Sequence, residues 1–362
     1  MRRWMFELPG LTFARPWTIG RVTFRPPGAA ESAVLERAEQ CGAHTSWAAA
    51  HEVAAELAER WRQSSTVETE ADDLETAQQA IGEAMAALRF LMREVVTVNV
   101  DIHRVGLVGE AQRSVREYLV MFSPERVAPG WTLVDDRVPF HYSADTLDAW
   151  DTDERVRWLA DQMAAARDQR SLSGRRVVTA LEVLDRAFLA TDPVIRVALC
   201  AVAVEVLLCD PLYDDVEPAP TGSLRIAARA AYLTCSNRCA SDREACPYVL
   251  GFKGQKHLWA TAERWAASGE EWRCSAFLNI ARPPDMNHYF TRPSLFGARN
   301  QAVHEGRTTL DASDIKWMRI HADEAIRAFL TWVATRPSAS VADLDAEIAE
   351  GAARLGEMIP KQ

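Results

Sequence analysis

The stretch Val177–Leu208 reads VVTALEVLDRAFLATDPVIRVALCAVAVEVLL, two apolar runs separated by Thr191-Asp192-Pro193. Its first half carries apolar residues at helical spacing. The second half, Val194 to Leu208, likewise reads as an apolar helix. Asp192 is suited to cap the second helix, and Pro193 to its first position, where no backbone donor is needed. So short a link makes the two helices antiparallel neighbours. The stretch therefore predicts a pair of antiparallel apolar helices.

Downstream, Leu224 to Leu233 reads as a further helix, Asp314 to Thr335 as a long one, and Val341 to Met358 as a terminal helix following Pro337. Asp210 to Gly222, with Pro211, Pro218 and Pro220, reads as a loop. Upstream, the pattern is mixed. Trp4–Leu8 and Gly20–Phe24 are short extended runs, and Thr66 to Thr69 alternates like a strand. Leu74 to Glu94 is a strong amphipathic helix, and Val95 to Ile102 alternates again. Ala33 to Ala38 and Ala48 to Trp61 are helical by composition. Ser114 to Phe122 alternates, and Trp131 to Phe140 is its expected partner; Gly106-x-x-Gly109 reads as a turn. From Ser143, an N-cap, one helix is expected to lead into the second domain and to break at Gly174. The predicted fold class is thus an α+β N-terminal domain with a mostly antiparallel sheet, residues 1–142, followed by an all-α helical domain, 143–336. The latter carries a Cys-containing insertion, 235–290, and a helical tail follows at 337–362.

The 362 residues carry 41 Lys and Arg against 51 Asp and Glu, a net charge of -10. That balance argues against general nucleic-acid affinity, so any such site must be local; Arg292, Arg299 and Arg307 could form one basic cleft. There is no apolar run of about 18 residues and no signal-peptide pattern after Met1, so a soluble cytoplasmic chain with no membrane contact is expected. Seven cysteines, an odd number without an export signal, are expected to be reduced. Cys200 and Cys209 belong in or near a helical core.

Near the C-terminus, Gly297-Ala298-Arg299-Asn300-Gln301-Ala302-Val303-His304-Glu305-Gly306 sets an arginine, an amide and a histidine on one short helix that Gly306 would end. Arg299 and His304 lie five residues apart, so they are separated by about 7.5 Å along the axis and about 140° around it. A guanidinium grips phosphate in a fork, and an imidazole both takes and gives a proton near neutral pH. Together they suit phosphodiester cleavage without a metal, given RNA, whose 2′-hydroxyl supplies the nucleophile. The alternative is a solvated helix arginine and a histidine that merely faces the helix end.

The pattern Arg299-Asn300-x-x-x-His304, preceded by the Val177–Leu208 helix pair and followed by one long helix, resembles the signature of HEPN-domain ribonucleases. Its setting is similar to the ApeA-like branch of bacterial defence systems. The resemblance implies a helical bundle, a homodimer and metal-independent endoribonuclease activity in anti-phage defence or toxin action. In it Arg299 and His304 are the catalytic pair, Asn300 is their polar neighbour, and Glu205 is a supporting carboxylate. It covers the second half of the chain; compact relatives lack the insertion between Cys235 and Phe290. The first domain would sense or restrain, itself or through an inhibitory partner. A HEPN module that binds nucleotide or a partner protein without cleaving is the second possibility, and a zinc enzyme the third.

Two features stand apart. Glu205, within an apolar run, must reach the edge of its helix or pair, with Arg225 or Arg299 as candidates, because burying a lone carboxylate is costly. Cys235-x3-Cys239-x6-Cys246, with His257 beyond, offers four soft ligands for a structural zinc, with Cys274 and His288 as alternative fourth ligands; the irregular spacing equally suits three unconnected thiols. No cofactor is expected for catalysis itself. His51-Glu52 is not a zincin motif, since residue 55 is Ala rather than a second His.

Overall fold

A computed structural model describes residues 2–8, 11–29, 62, 65–95, 108–110, 120–122, 140–209, 226–227, 229–230, 232–234, 280, 293–306 and 310–347. An antiparallel sheet near the N-terminus is followed by a mostly helical remainder, as the α+β-then-helical pattern predicts. The chain divides into two compact units, 1–169 and 170–362.

In the first unit, strands β1 (Arg2–Leu8), β3 (Trp17–Ile19), β4 (Val22–Arg25) and β5 (Ser65–Ala71) form one sheet in the order β1-β5-β4-β3, antiparallel throughout. The register lines Phe6 up with Val67 and Val67 with Phe24, so one face gathers Trp4, Phe6, Leu8, Trp17, Ile19, Val22, Phe24 and Val67, all buried. The opposite face holds Arg25 and Glu68, paired at 2.6 Å. Beside that pair lie Met5 and Thr66, both buried, so this face too is largely covered. Helix α1 (Leu74–Val95) packs on β5 and β4 through Ala77, Ile81, Ala84, Leu88 and Leu91. Asp73 starts it, accepting the Thr76 N–H at 2.7 Å; that bond holds its carboxyl below the usual range.

Strand β2 (Leu11–Phe13) pairs with β8 (Phe140–Tyr142) in parallel, stacking Phe13 on Tyr142 with ring centres 4.7 Å apart. Phe140 therefore does not pair with the run ending at Phe122, as its alternation predicted. That run supplies β7 (Val120–Phe122), whose partner is β6 (Val108–Glu110), so Gly109 stands in a strand opposite Met121 and not in a turn. Val95 closes α1 and opens no strand. The rest of the strand expected to Ile102, the helices expected at Ala33–Ala38 and Ala48–Trp61, and the run from Trp131 to Pro139 lie outside the described residues.

Ser143 caps a helix as predicted, accepting from Thr146 N–H, but two helices follow it: α2 (Ala144–Thr152) and α3 (Glu154–Ala164). Asp153 separates them, ending one in an extended conformation and capping the next through the Arg155 N–H at 2.7 Å. Both belong to the first unit, which thus runs past the boundary drawn at residue 142. Helix α3 lies so close to the β3–β4 turn that a Cβ on Gly20 would meet Met163 Cβ at 2.7 Å, and Gly20 also has a φ of 62°. Only glycine satisfies both conditions.

The second unit is built on α4 (Leu172–Leu189) and α5 (Pro193–Leu208). Asp192 caps α5, accepting from Val194 N–H at 2.7 Å, and Pro193 takes its first turn. Gly174, expected to break the chain, instead lies in the first turn of α4, where its N–H donates to the Ser171 cap at 2.9 Å. A glycine costs little there, because its position is one that a cap satisfies. Helices α6 (Leu295–Glu305) and α7 (Ala312–Ala334) both pack on α5, and α7 also on α4. The central position of α5 accounts for its sequence: Val197, Cys200, Ala201, Ala203, Val204, Leu207 and Leu208 are all buried. The described residues between 226 and 234 are helical, as are 341–347. Among the described residues no helix is long and apolar enough to cross a membrane.

Candidate active site

Helix α6 carries the arginine–histidine motif, and its ends are defined locally. Ser294 caps the start, its Oγ accepting from Gly297 N–H at 3.2 Å; a Cβ on residue 297 would approach that oxygen to 2.9 Å, so glycine leaves the cap its room. Gly306, with φ 65°, ends the helix in the left-handed conformation. Leu295, Phe296, Ala298 and Ala302 are the buried face. The two alanines allow α6 to lie close against α5, which brings the flanking Arg299 beside Glu205.

Arg299 Nη2 stands 3.6 Å from Glu205 Oε1, and Arg299 Nη1 donates to Asn300 Oδ1 at 3.1 Å. Nε of Arg299 is buried and has no hydrogen-bond partner among the described residues. Glu205 thus pairs with Arg299 from the edge of its apolar helix. At 3.6 Å the pair lies beyond ordinary hydrogen-bond length, so the carboxylate stands beside the guanidinium without closing a tight fork on it. Both side chains are about 30% exposed, 30% for Arg299 and 29% for Glu205, and an ion pair in that setting contributes only about 0–1 kcal/mol to stability. It is a weak clamp and an accessible one.

His304 occupies the last turn of α6, and Val303, His304, Glu305 and Gly306 are all exposed. One chain thus offers a guanidinium paired with Glu205 and, five residues on, an exposed imidazole that the helix turns about 140° away. Asn300 is exposed beside Arg299. Arg292 and Arg307, expected to extend the basic character, lie outside the described residues, as do Arg225, Cys235, Cys239, Cys246, His257, Cys274 and His288. Among the described residues no group of three or more His, Cys, Asp or Glu side chains could hold a metal ion. Cys200 is buried and Cys209 half-buried, both as free thiols.

Three arginines that pattern analysis did not single out also shape this unit. Arg176 Nη1 donates to the carbonyl of Cys209 at 2.5 Å, and Arg229 Nη1 to that of Leu208 at 2.6 Å, so two guanidiniums cap the end of α5 nearest Glu205. Arg319 lies over the Phe188 ring, 3.6 Å from its centre, joining α7 to α4. The signal in the sequence was an arginine inside an apolar helical run, as in Ile226-Ala227-Ala228-Arg229-Ala230, which must find an acceptor if it turns inward. On α7, His321 is nearly buried, stacked on Trp317 with ring centres 5.6 Å apart and 3.7 Å from Glu324. Comparison of the chain with family models, with curated proteins and with solved structures yields no match.

Proposed function

We propose that this protein is a metal-independent endoribonuclease of the HEPN type, with Arg299 and His304 as its catalytic pair. The observation that carries the proposal is the arrangement on α6: a guanidinium aimed by Glu205 across the helix interface, and an exposed imidazole five residues further on the same helix. In the reaction, one His304 takes the proton from an RNA 2′-hydroxyl. The O2′ oxygen attacks the adjacent phosphorus while Arg299 stabilises the charge growing on the phosphoryl oxygens. The bond from phosphorus to the 5′-oxygen breaks, and that oxygen leaves with a proton. The products are a 2′,3′-cyclic phosphate and a 5′-hydroxyl end.

One chain supplies a single imidazole at this helix end, beside the Glu305 carboxyl, whereas the reaction needs a base and an acid at the same moment. A homodimer with two α6 helices facing each other across a twofold axis provides the second imidazole and doubles the positive charge where phosphate binds. This gives a local basic site on a chain of net charge -10. The first unit is assigned a sensing or restraining role, in a cytoplasmic defence or toxin setting. Purified protein incubated with RNA of mixed sequence should generate 5′-hydroxyl and 2′,3′-cyclic phosphate ends; 5′-phosphate ends would exclude the mechanism. The net charge favours one rival, a non-cleaving HEPN module that binds a nucleotide or protein partner. That module would tolerate His304→Ala.

A further inference from the structure

The last turn of α5 carries Glu205, whose own carbonyl accepts the Cys209 N–H at 2.8 Å. The carbonyls that end the helix, at Leu207, Leu208 and Cys209, have no donors further along it and are met by side chains: Arg176 reaches Cys209 and, at 3.4 Å, Leu207, while Arg229 reaches Leu208. The Arg229 side chain is fully buried, and its charge is answered by Asp345 in a two-pronged contact, Nε to Oδ1 at 2.8 Å and Nη2 to Oδ2 at 2.6 Å. Asp345 belongs to the helical residues 341–347. These are fastened in turn: Trp332 Nε1 donates to Glu347 at 3.2 Å, Arg336 Nε lies 3.1 Å from the same carboxylate, and Ser173 Oγ donates to the Ala339 carbonyl at 2.5 Å.

A buried guanidinium deprived of a carboxylate partner is costly enough that it moves toward water. If Arg229 moves, the Leu208 carbonyl loses its donor and the turn that holds Glu205 loosens. We infer that Asp345 and Arg229 are positioning residues for the Arg299–Glu205 pair, so that docking of the 341–347 helix sets whether Arg299 is correctly aimed. The inference rests on the ribonuclease proposal only for what the aimed arginine does.

Cys209, half-buried at the end of α5, and Cys200, buried in the middle of it, serve as internal probes. The full-length protein and its Asp345→Asn and Asp345→Glu variants are alkylated with iodoacetamide, and the rate at each cysteine is followed by peptide mass spectrometry. In Asp345→Asn the Cys209 rate should rise about tenfold, the loss of one charge-assisted hydrogen bond, with Cys200 unchanged. Asp345→Glu should restore most of the original Cys209 rate. An unchanged Cys209 rate, equal increases at both cysteines, or an Asp345→Glu protein as reactive as Asp345→Asn would each overturn the inference. On RNA, Asp345→Asn should lower kcat and leave KM unchanged, and an unaltered kcat would likewise overturn it. Absence of cleavage by the unmodified protein defeats the functional proposal instead, while the alkylation rates still decide the positioning role.

Discussion

Arg299 on α6 and Glu205 on α5 face each other across a helix interface with nitrogen and oxygen 3.6 Å apart, both partly open to solvent. A contact of that length and exposure contributes too little to explain a carboxylate in the apolar sequence Ala-Val-Ala-Val-Glu-Val-Leu-Leu as a stability device. Its physical effect is directional. It biases where the guanidinium points, and under the proposed function a guanidinium so placed takes a phosphate oxygen as a further acceptor.

Glu205→Ala should therefore lower the cleavage rate by up to about fivefold, the most that a contact of about 1 kcal/mol can bias the arginine's position, while folding stability falls by no more than about 1 kcal/mol. Glu205→Gln, which keeps the shape and an acceptor, should lose less. Rates on a defined RNA and urea unfolding of both variants check this. A large stability loss with an unaltered rate would make Glu205 a structural residue only.

Gly20→Ala should destabilise the first unit by more than about 1 kcal/mol, since the new methyl meets Met163 Cβ at 2.7 Å and the backbone there has φ 62°. Replacement of Gly28, whose φ is 79° but where a Cβ would meet, among the described residues, only Arg62 O at 3.9 Å, should cost less. Thermal unfolding of the two variants gives the order directly.

Asp153 sets an acid limit. The Arg155 guanidinium bonded to its carboxylate, joined by the Arg155 backbone N–H, holds its carboxyl below the ordinary value against the opposing effect of partial burial. A depressed carboxyl stabilises the folded state above the unfolded pKa, near 3.9, and that contribution fades as pH falls below it toward the folded value. Asp153→Asn should flatten the acid limb of a stability-against-pH curve, measured by urea unfolding from about pH 6 downward. A limb of unchanged slope would show that Asp153 carries none of it.

Much of this architecture is written locally. The saturated apolar run of α5, the Asp192-Pro193 start, the Ser143 cap and the Gly306 stop each act within a few residues, and each appears in the structure where its chemistry places it. The break at Asp153 is visible only as a slip in the apolar stripe, from Leu147 and Trp150 to Val156 and Leu159, which a continuous amphipathic pattern conceals. Phe140 shows the limit for strands: alternation marks it as extended, but its choice of Leu11 over the nearer run at Val120–Phe122 is tertiary. The positions of Arg299 and His304 on one helix were legible from spacing. The Arg229–Asp345 contact joins residues 116 apart, and no local pattern announces it.

Chelation provides a separate check on the chemistry. Under the proposed mechanism, in which RNA supplies the nucleophile and Arg299 meets the phosphoryl charge, EDTA should leave the initial cleavage rate unchanged in protein that remains folded. Immediate loss of cleavage, with circular dichroism unaltered, would assign the reaction to a metal.

Dimer dependence follows from the need for both an acid and a base. Specific activity should fall on dilution as the dimer dissociates, and the pH–rate profile should be bell-shaped, as a reaction that needs one base and one acid requires. A monomer by light scattering at the assay concentration, cleaving with undiminished specific activity, would rule out the paired arrangement.

The most direct test of the central claim is to sequence the 5′-hydroxyl ends produced from RNA by the unmodified protein and by His304→Ala, each confirmed as folded by thermal unfolding. The exposed position of His304 predicts equal unfolding midpoints, abundant 5′-hydroxyl ends from the unmodified protein and none above background from the variant. Equal yields of those ends from the two proteins would contradict the account.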